Sequence, residues 1–415
     1  MKDVYLLDLI NGISNALDYV STAVTGHHRR VGIACATVAP TLGLSKTDAA
    51  DLIMAALLHD IGAFSLNFSL DGLNFDADLT EHASMGFKLL EGHPLLNRSA
   101  YLVKYHHTPW RELLKNPDKV DKDILFFSNL LNLMDRVDVL SKIGTNIFSP
   151  HKLREIISGY SDTIYSERAI AAFMEASSKQ EFWDRIEDTE TPIRELLGET
   201  FGDQSIPEEQ LLHFSRFFSH IIDFRSRHTA THSLGVAEMA VELARLAGMD
   251  AADQRRIRLA GNLHDIGKLA VPVTLLDKPA PLTHKEFETV QYHAHVCEQV
   301  LHSIPGMEDI AVWACQHHER LNGKGYPHGR RGSELSLGSR ILAVADVYTA
   351  ITEDRPYRDG MIPQEAKEVL TTLAKSGDLD QDIIHLLFEN YENLDIIRSL
   401  VQARALDDFK RFRSH

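Results

Sequence analysis

The chain is poor in cysteine: Cys35, Cys297 and Cys315 are its three, and no two form a CxxC pair. A disulfide framework or a thiolate zinc site needs closely spaced sulfur donors, so both are excluded, and the three thiols are expected to be small core residues. Long apolar runs are missing too. No stretch approaches the ~18 residues of a membrane span, and MKDVYLLDLI turns polar at once, so the expected compartment is a reducing cytoplasm. Positive charge is in deficit, with 43 Lys and Arg against 59 Asp and Glu and a formal net charge of -16. Duplex nucleic acid is bound by clustered cations that displace counterions, and this balance excludes it as a partner. A small anionic ligand stays admissible if a metal supplies the positive charge. Alternating strand patterns are scarce, and Gly and Pro gather in two stretches, 271–282 and 322–338, expected as loops beside a site.

What is present is helical periodicity and histidine. From His232 the apolar residues Val236, Met239, Ala240, Leu243 and Ala247 fall at three- and four-residue steps, the stripe of an amphipathic helix. Pro363 is placed as a first-turn proline, with Ala366, Val369, Leu370 and Leu373 on the buried face and Gly377 as the stop. The fold class read from this is all-α. A chain of 415 residues exceeds what one hydrophobic core serves. The polar residues show how it is divided. His27 and His232 are 205 apart (232−27), as are His59-Asp60 and His264-Asp265 (264−59). His82 and His293, His106-His107 and His317-His318, and Asp135 and Asp346 are all 211 apart (293−82, 317−106, 346−135). A constant offset that changes once, by six residues, is the mark of a duplicated domain with one loop altered. The expected domains are 1–200 and 201–415, with the boundary falling between about 195 and 210.

The second copy collects His232, His264, Asp265, His293, His317, His318 and Asp346. Five imidazoles and two carboxylates are enough to hold two divalent metals, and nitrogen and oxygen donors without thiolate suit Fe, Mn or Zn. His293 is chosen over His295 because His82, Gly86 and Leu89-Leu90 map onto His293, Cys297 and Val300-Leu301. Single histidines such as His213, His284 and His328 are read as surface residues.

In order, Arg225-Ser226-Arg227-His228-Thr229 before His232, then His264-Asp265-Ile266-Gly267-Lys268, His317-His318-Glu319, Gly325-Tyr326-Pro327 and Val344-Ala345-Asp346-Val347 resemble the HD-GYP domain, and Arg355-Pro356-Tyr357-Arg358 continues the match. The resemblance spans about residues 210 to 400. It implies two tandem HD-superfamily helical domains, a C-terminal centre of two divalent transition metals, Fe or Mn first, and hydrolysis of a cyclic dinucleotide such as c-di-GMP or 3',3'-cGAMP to the linear dinucleotide and on to mononucleotides. The expected chemistry is in-line attack of an activated water on phosphorus. Lys268, four residues after His264 and so expected on the same helical face, is the candidate to stabilise charge or protonate the leaving oxygen, with Asp265 as its catalytic neighbour. Gly323, Gly325 and Pro327 are expected to shape a tight loop bringing Tyr326 near the ligand, and Arg355 and Arg358 are candidates for the second phosphate or a guanine edge. Asn322 stands where the family usually has Asp. His228 stands where some members carry a Glu that helps hold a third metal, which makes it a candidate extra ligand.

The first copy keeps His27, His59, Asp60, His82, His106, His107 and Asp135, so metal there is also expected. It reads His59-Asp60-Ile61-Gly62-Ala63, with alanine in place of the lysine, and Thr108-Pro109-Trp110 follows its histidine doublet with no Gly-Tyr-Pro loop. A degraded catalyst with a structural, sensory or dimerising role is the expectation, with a homodimer or a signalling protein as partner. The rival readings are an HD-type hydrolase of mononucleotides, which the Gly-Tyr-Pro loop argues against, and a low-turnover protein that binds the dinucleotide as a signal.

Overall fold

The computed structural model describes residues 3–19, 25–64, 80–115, 120–142, 148–224, 231–353 and 360–414. Helices account for nearly all of the regular structure. The strands among the described residues, Val4–Tyr5 and Ser205–Ile206, pair in one two-stranded sheet. Packing divides the chain into one unit of Tyr5–Ser205 and another of Ile206–His415 together with Met1–Val4. Shortly before the division, the helix Ile193–Phe201 buries Ile193, Leu197 and Phe201 and is followed by Gly202 at φ 94°. No helix among the described residues is long and apolar enough to cross a membrane.

The same helical plan is used in each unit. The first histidine opens a helix, His27–Val38 in one and His232–Leu246 in the other. The His-Asp pair follows a helix that starts on an equivalent cap: the Ser45 side chain accepts from the Asp48 N–H before Lys46–Leu58, and Asp250 accepts from Asp253 before Ala251–Leu263. Both helices stop at the pair. His59 and His264 are the C-terminal caps, and the chain tightens into short 3₁₀ turns over Ile61–Phe64 and Ile266–Ala270. His82 and His293 lie inside Thr80–Leu90 and His284–His302, the doublets follow Asn97–Tyr105 and Glu308–Cys315, and the last carboxylates lie inside Lys122–Lys142 and Leu337–Thr352. Pro363 opens the helix Pro363–Lys375, and Gly377 at φ 71° follows its end.

A glycine at one place in each unit explains how a short turn reaches a long helix. A Cβ on Gly267 would sit 1.9 Å from the His293 carbonyl oxygen and 2.7 Å from the Cys297 nitrogen. A Cβ on Gly62 would sit 2.0 Å from the His82 carbonyl oxygen and 2.4 Å from the Gly86 nitrogen. The backbone after each His-Asp pair thus lies directly on the helix carrying the next histidine, and only glycine permits it. The three cysteines are buried and unpaired, and Cys297 and Cys315 approach to 3.1 Å between sulfurs.

Candidate metal centre

In the C-terminal unit the seven predicted residues come together. Donor atoms of His232, His264 and Asp346 lie within 4.8 Å of one another, and so do those of His293, His317 and His318. Two carboxylates link these groups, Asp346 as a member of the first and Asp265 beside both. Asp346 Oδ1 is 3.1 Å from His232 Nε2 while its Oδ2 is 3.8 Å from His318 Nδ1. Asp265 Oδ2 is 3.2 Å from His264 Nε2 and its Oδ1 is 3.6 Å from His293 Nε2. Each carboxylate therefore offers one oxygen to each group of imidazoles.

Backbone carbonyls set the histidine tautomers. His264, His293 and His317 donate from Nδ1 to the carbonyl three residues earlier, on Gly261 at 2.7 Å, Val290 at 2.6 Å and Ala314 at 2.5 Å. A carbonyl only accepts, so the proton sits on Nδ1 and the Nε2 lone pair faces inward. All three Nε2 atoms, with Asp265 Oδ1, are buried and have no hydrogen-bond partner among the described residues. Leaving such groups unpaired costs roughly 1–3 kcal/mol each. Four of them aimed into one small space fit a divalent cation and little else.

The electrostatics agree. Burial first, then the charges of Asp265 and Lys268, leave His293 at about 4, and burial with His264 beside it takes His317 down to about 3. Burial would raise Asp265, yet His264 and Lys268 hold it well below the usual carboxylate range. Near neutral pH His293 and His317 are thus neutral imidazoles and Asp265 is an ionised carboxylate, the states a metal needs. His232 differs. Burial would lower it, but the hydrogen bonds it donates to Asp346 and Glu353 lift it to about 10. Its Nδ1 is 3.3 Å from Glu353 Oε2, and Glu353 is in turn bonded by Thr231 and by Gln402 Nε2 at 3.4 Å.

Lys268 reaches the cluster by a different route from the expected one. Because the helix stops at Leu263 and a 3₁₀ turn follows, Lys268 registers over Asp265 and not over His264, with Nζ 2.5 Å from Asp265 Oδ2. Asp265 thus meets both trios and the ammonium.

The Gly-Tyr-Pro loop folds back on the histidine doublet. A Cβ on Gly325 would lie 2.5 Å from the His318 carbonyl oxygen and 2.4 Å from the Arg320 nitrogen, so no larger residue fits. Tyr326 donates its N–H to the His318 carbonyl at 3.2 Å, its ring centre is 4.6 Å from that of His318, and the Tyr326-Pro327 bond is cis. Glu319 follows the histidine doublet directly in the sequence. Buried beneath the loop, it accepts the N–H of His328 at 2.7 Å and of Arg330 at 2.9 Å. Asn322 keeps the loop's other end, donating to Asp378 at 2.9 Å and accepting the Lys324 N–H at 3.0 Å. Glu319→Ala should leave metal content unchanged and raise KM about tenfold, since two loop N–H groups lose their acceptor. An unaltered KM in steady-state kinetics would show that the Gly325 turn alone holds the loop. His228, Arg355 and Arg358 lie outside the described residues.

The N-terminal unit brings its predicted residues together as well. Donor atoms of His27, His59 and Asp135 form one close group and those of Asp60, His82, His106 and His107 another. Asp60 again straddles, with Oδ2 3.3 Å from His59 Nε2 and Oδ1 3.2 Å from His82 Nε2. His59 and His106 repeat the i−3 carbonyl bond, to Ala56 at 2.8 Å and Val103 at 2.6 Å. Two features differ. Ala63, buried, takes the place of Lys268, and after the doublet the chain enters the short helix Trp110–Leu113, tied by Trp110 N–H to Ile164 at 2.9 Å. The outer partner of the first histidine also changes: His27 Nδ1 is 2.8 Å from Asp138, which Arg30 clamps at 2.5 and 2.9 Å. At the corresponding places the other unit has Gly235 (30+205) and Thr349 (138+211), where a Cβ on the glycine would touch Thr349 Cγ2 at 3.1 Å.

Paired helices ending in buried His-Asp clusters, built twice in one chain, define a tandem HD-type metal-dependent phosphohydrolase. Two matches to family models described as HD domain cover residues 24–140 and 216–383. The chain is 31% identical to 3'3'-cGAMP-specific phosphodiesterase 1 of Vibrio cholerae over 93% of its own length and 93% of that protein's. It is 42% identical to a cyclic di-GMP phosphodiesterase of Pseudomonas aeruginosa over 34% of each chain. The crystal structure of a cyclic GMP-AMP specific phosphodiesterase in V. cholerae shares the fold at a TM-score of 0.64 and 21% identity, over 94% of this chain and 98% of that one. The protein belongs to the HD-GYP phosphodiesterases, metal-dependent hydrolases of the HD-domain family.

Proposed function

We propose that the C-terminal unit hydrolyses a cyclic dinucleotide, 3',3'-cGAMP foremost and c-di-GMP as the comparison, and that its ligands are His232, His264, Asp265, His293, His317, His318 and Asp346. The observation that carries this is the pair of carboxylates, Asp265 and Asp346, each turning one oxygen toward the His232–His264 pair and the other toward the His293, His317 and His318 trio. That geometry suits two ions held side by side, iron or manganese for donors of this type. When bound, such ions polarise a phosphate oxygen and acidify a water for attack on phosphorus. The chain supplies the rest. Asp265 and Asp346 fix the spacing of the trios, Lys268 places an ammonium beside Asp265, and Tyr326 closes one wall against His318 and His293. Lys268 is the group positioned to stabilise charge on the phosphate or deliver a proton to the leaving 3' oxygen.

The preference for 3',3'-cGAMP follows the relative that matches across 93% of the chain, which is named for that nucleotide. The N-terminal unit, lacking the lysine and the loop, is assigned a non-catalytic role over its domain of about residues 1–200. Three reduced cysteines fit a cytoplasmic setting. The deciding experiment is anaerobic purification with metal analysis, followed by chromatography of products from 3',3'-cGAMP, c-di-GMP and mononucleotides. Linear dinucleotide from the first at the highest kcat/KM is the expected result. Binding of cyclic dinucleotide without linear product would overturn the enzymatic reading.

A further inference from the structure

One further histidine of the N-terminal unit has no equivalent in the other half. His28 follows His27 at the start of the helix His27–Val38 and is fully buried. Its Nε2 has no hydrogen-bond partner among the described residues, lies 3.4 Å from Asp60 Oδ2, and groups with the donor atoms of His59 and Asp60 within 4.8 Å. The outer nitrogen is held. Nδ1 is 3.3 Å from Asp18 Oδ1, and the other oxygen of Asp18 accepts the Gly26 N–H at 2.7 Å. A carboxylate on the outer nitrogen with the inner nitrogen turned to a cluster is the arrangement that orients an imidazole as a ligand.

At the 205-residue offset Asp18 becomes Asp223 (18+205) and His28 becomes Ser233 (28+205). The serine uses the same carboxylate differently, donating its hydroxyl to Asp223 at 2.7 Å and its N–H at 3.1 Å. With both groups engaged there, and a side chain too short to span the gap an imidazole fills, Ser233 adds no donor to the C-terminal cluster.

We infer that His28 is a metal ligand special to the N-terminal unit, and that it closes a coordination position left open in the C-terminal unit. The inference rests on the N-terminal cluster being a metal centre. Structural metal sites are closed by protein donors, whereas catalytic ones keep a place for water or substrate. His28 adds a protein donor on the His59 side of the N-terminal cluster, at a place where a catalytic centre would keep room for water or substrate.

The test uses the full chain carrying His264→Ala and Asp265→Ala, so that ions of the N-terminal unit are counted alone, and takes Co²⁺ as the probe. With His28 intact, cobalt should bind and its visible absorption should not respond to azide. His28→Ser installs the residue that the other unit sets against the matching aspartate. It should weaken cobalt binding by roughly tenfold or more and make the spectrum respond to azide. Far-UV circular dichroism checks the fold, and His28→Gln serves if the serine variant does not fold. No cobalt with His28 intact would remove the metal centre and the inference with it. Cobalt bound with the same affinity and the same indifference to azide after substitution would leave the centre standing and overturn the role of His28.

Discussion

The full-length chain carrying His264→Ala and Asp265→Ala is expected to lose the metal of its C-terminal unit and to yield no linear dinucleotide. Both side chains are buried, and Asp265 is the group that touches each trio, at 3.2 Å from His264 and 3.6 Å from His293. Removing it leaves Asp346 as the single carboxylate linking the two groups of imidazoles, and removing His264 takes a donor from the trio with His232. Affinity depends on ligand count and on geometry already fixed by the fold, so the loss is cooperative. The matching change in the other half, His59→Ala with Asp60→Ala, should reduce total metal yet leave turnover near the wild-type rate. Metal stoichiometry by plasma mass spectrometry and product chromatography read both variants. Full activity in the first, or none in a folded second, would reverse the division of labour between the halves.

Lys268→Ala should cut kcat by about a hundredfold with metal content near wild type, the usual scale for losing a positioned acid or charge stabiliser. The ammonium lies 2.5 Å from Asp265 Oδ2, and burial, which lowers a lysine, is outweighed there by Asp265, so Lys268 stays protonated. A lysine that merely neutralised Asp265 would show itself differently. Its removal would alter metal affinity and leave the rate at saturating metal unchanged. Titrating metal into the variant while following turnover separates the two, and a wild-type rate at saturation would end the catalytic assignment.

Much of this architecture was legible because duplication writes the same polar residues twice. The offsets of 205 and 211 place His232, His264, Asp265, His293, His317, His318 and Asp346 by comparison with their partners, and the structure brings all seven together. The all-α class followed from periodicity alone. What escaped was whatever breaks the repeat. Glu353 corresponds to Lys142 (353−211), so the outer partner of His232 had no echo to reveal it. Asp18 and Asp223 do obey the offset, but a lone aspartate repeats by chance too often to stand out. The register of Lys268 departs from the helical count for a different reason. Counting four residues from His264 assumes a continuous α-helix, and the change to a 3₁₀ turn after the His-Asp pair moves the lysine onto Asp265.

The exchange of Arg30 and Asp138 for Gly235 and Thr349 bears on how the two halves could have diverged. In the N-terminal unit the guanidinium and the carboxylate are each about 95% hidden, at 5% and 4% exposure, and joined by two bonds. Replacing Asp138 alone leaves the Arg30 guanidinium buried without its carboxylate, at a cost of about 3–5 kcal/mol, whereas replacing Arg30 alone leaves Asp138 bonded to His27 at 2.8 Å. The two positions are therefore coupled in the N-terminal unit, so that the cost of a change at one depends on the residue at the other, with His27 as their shared neighbour.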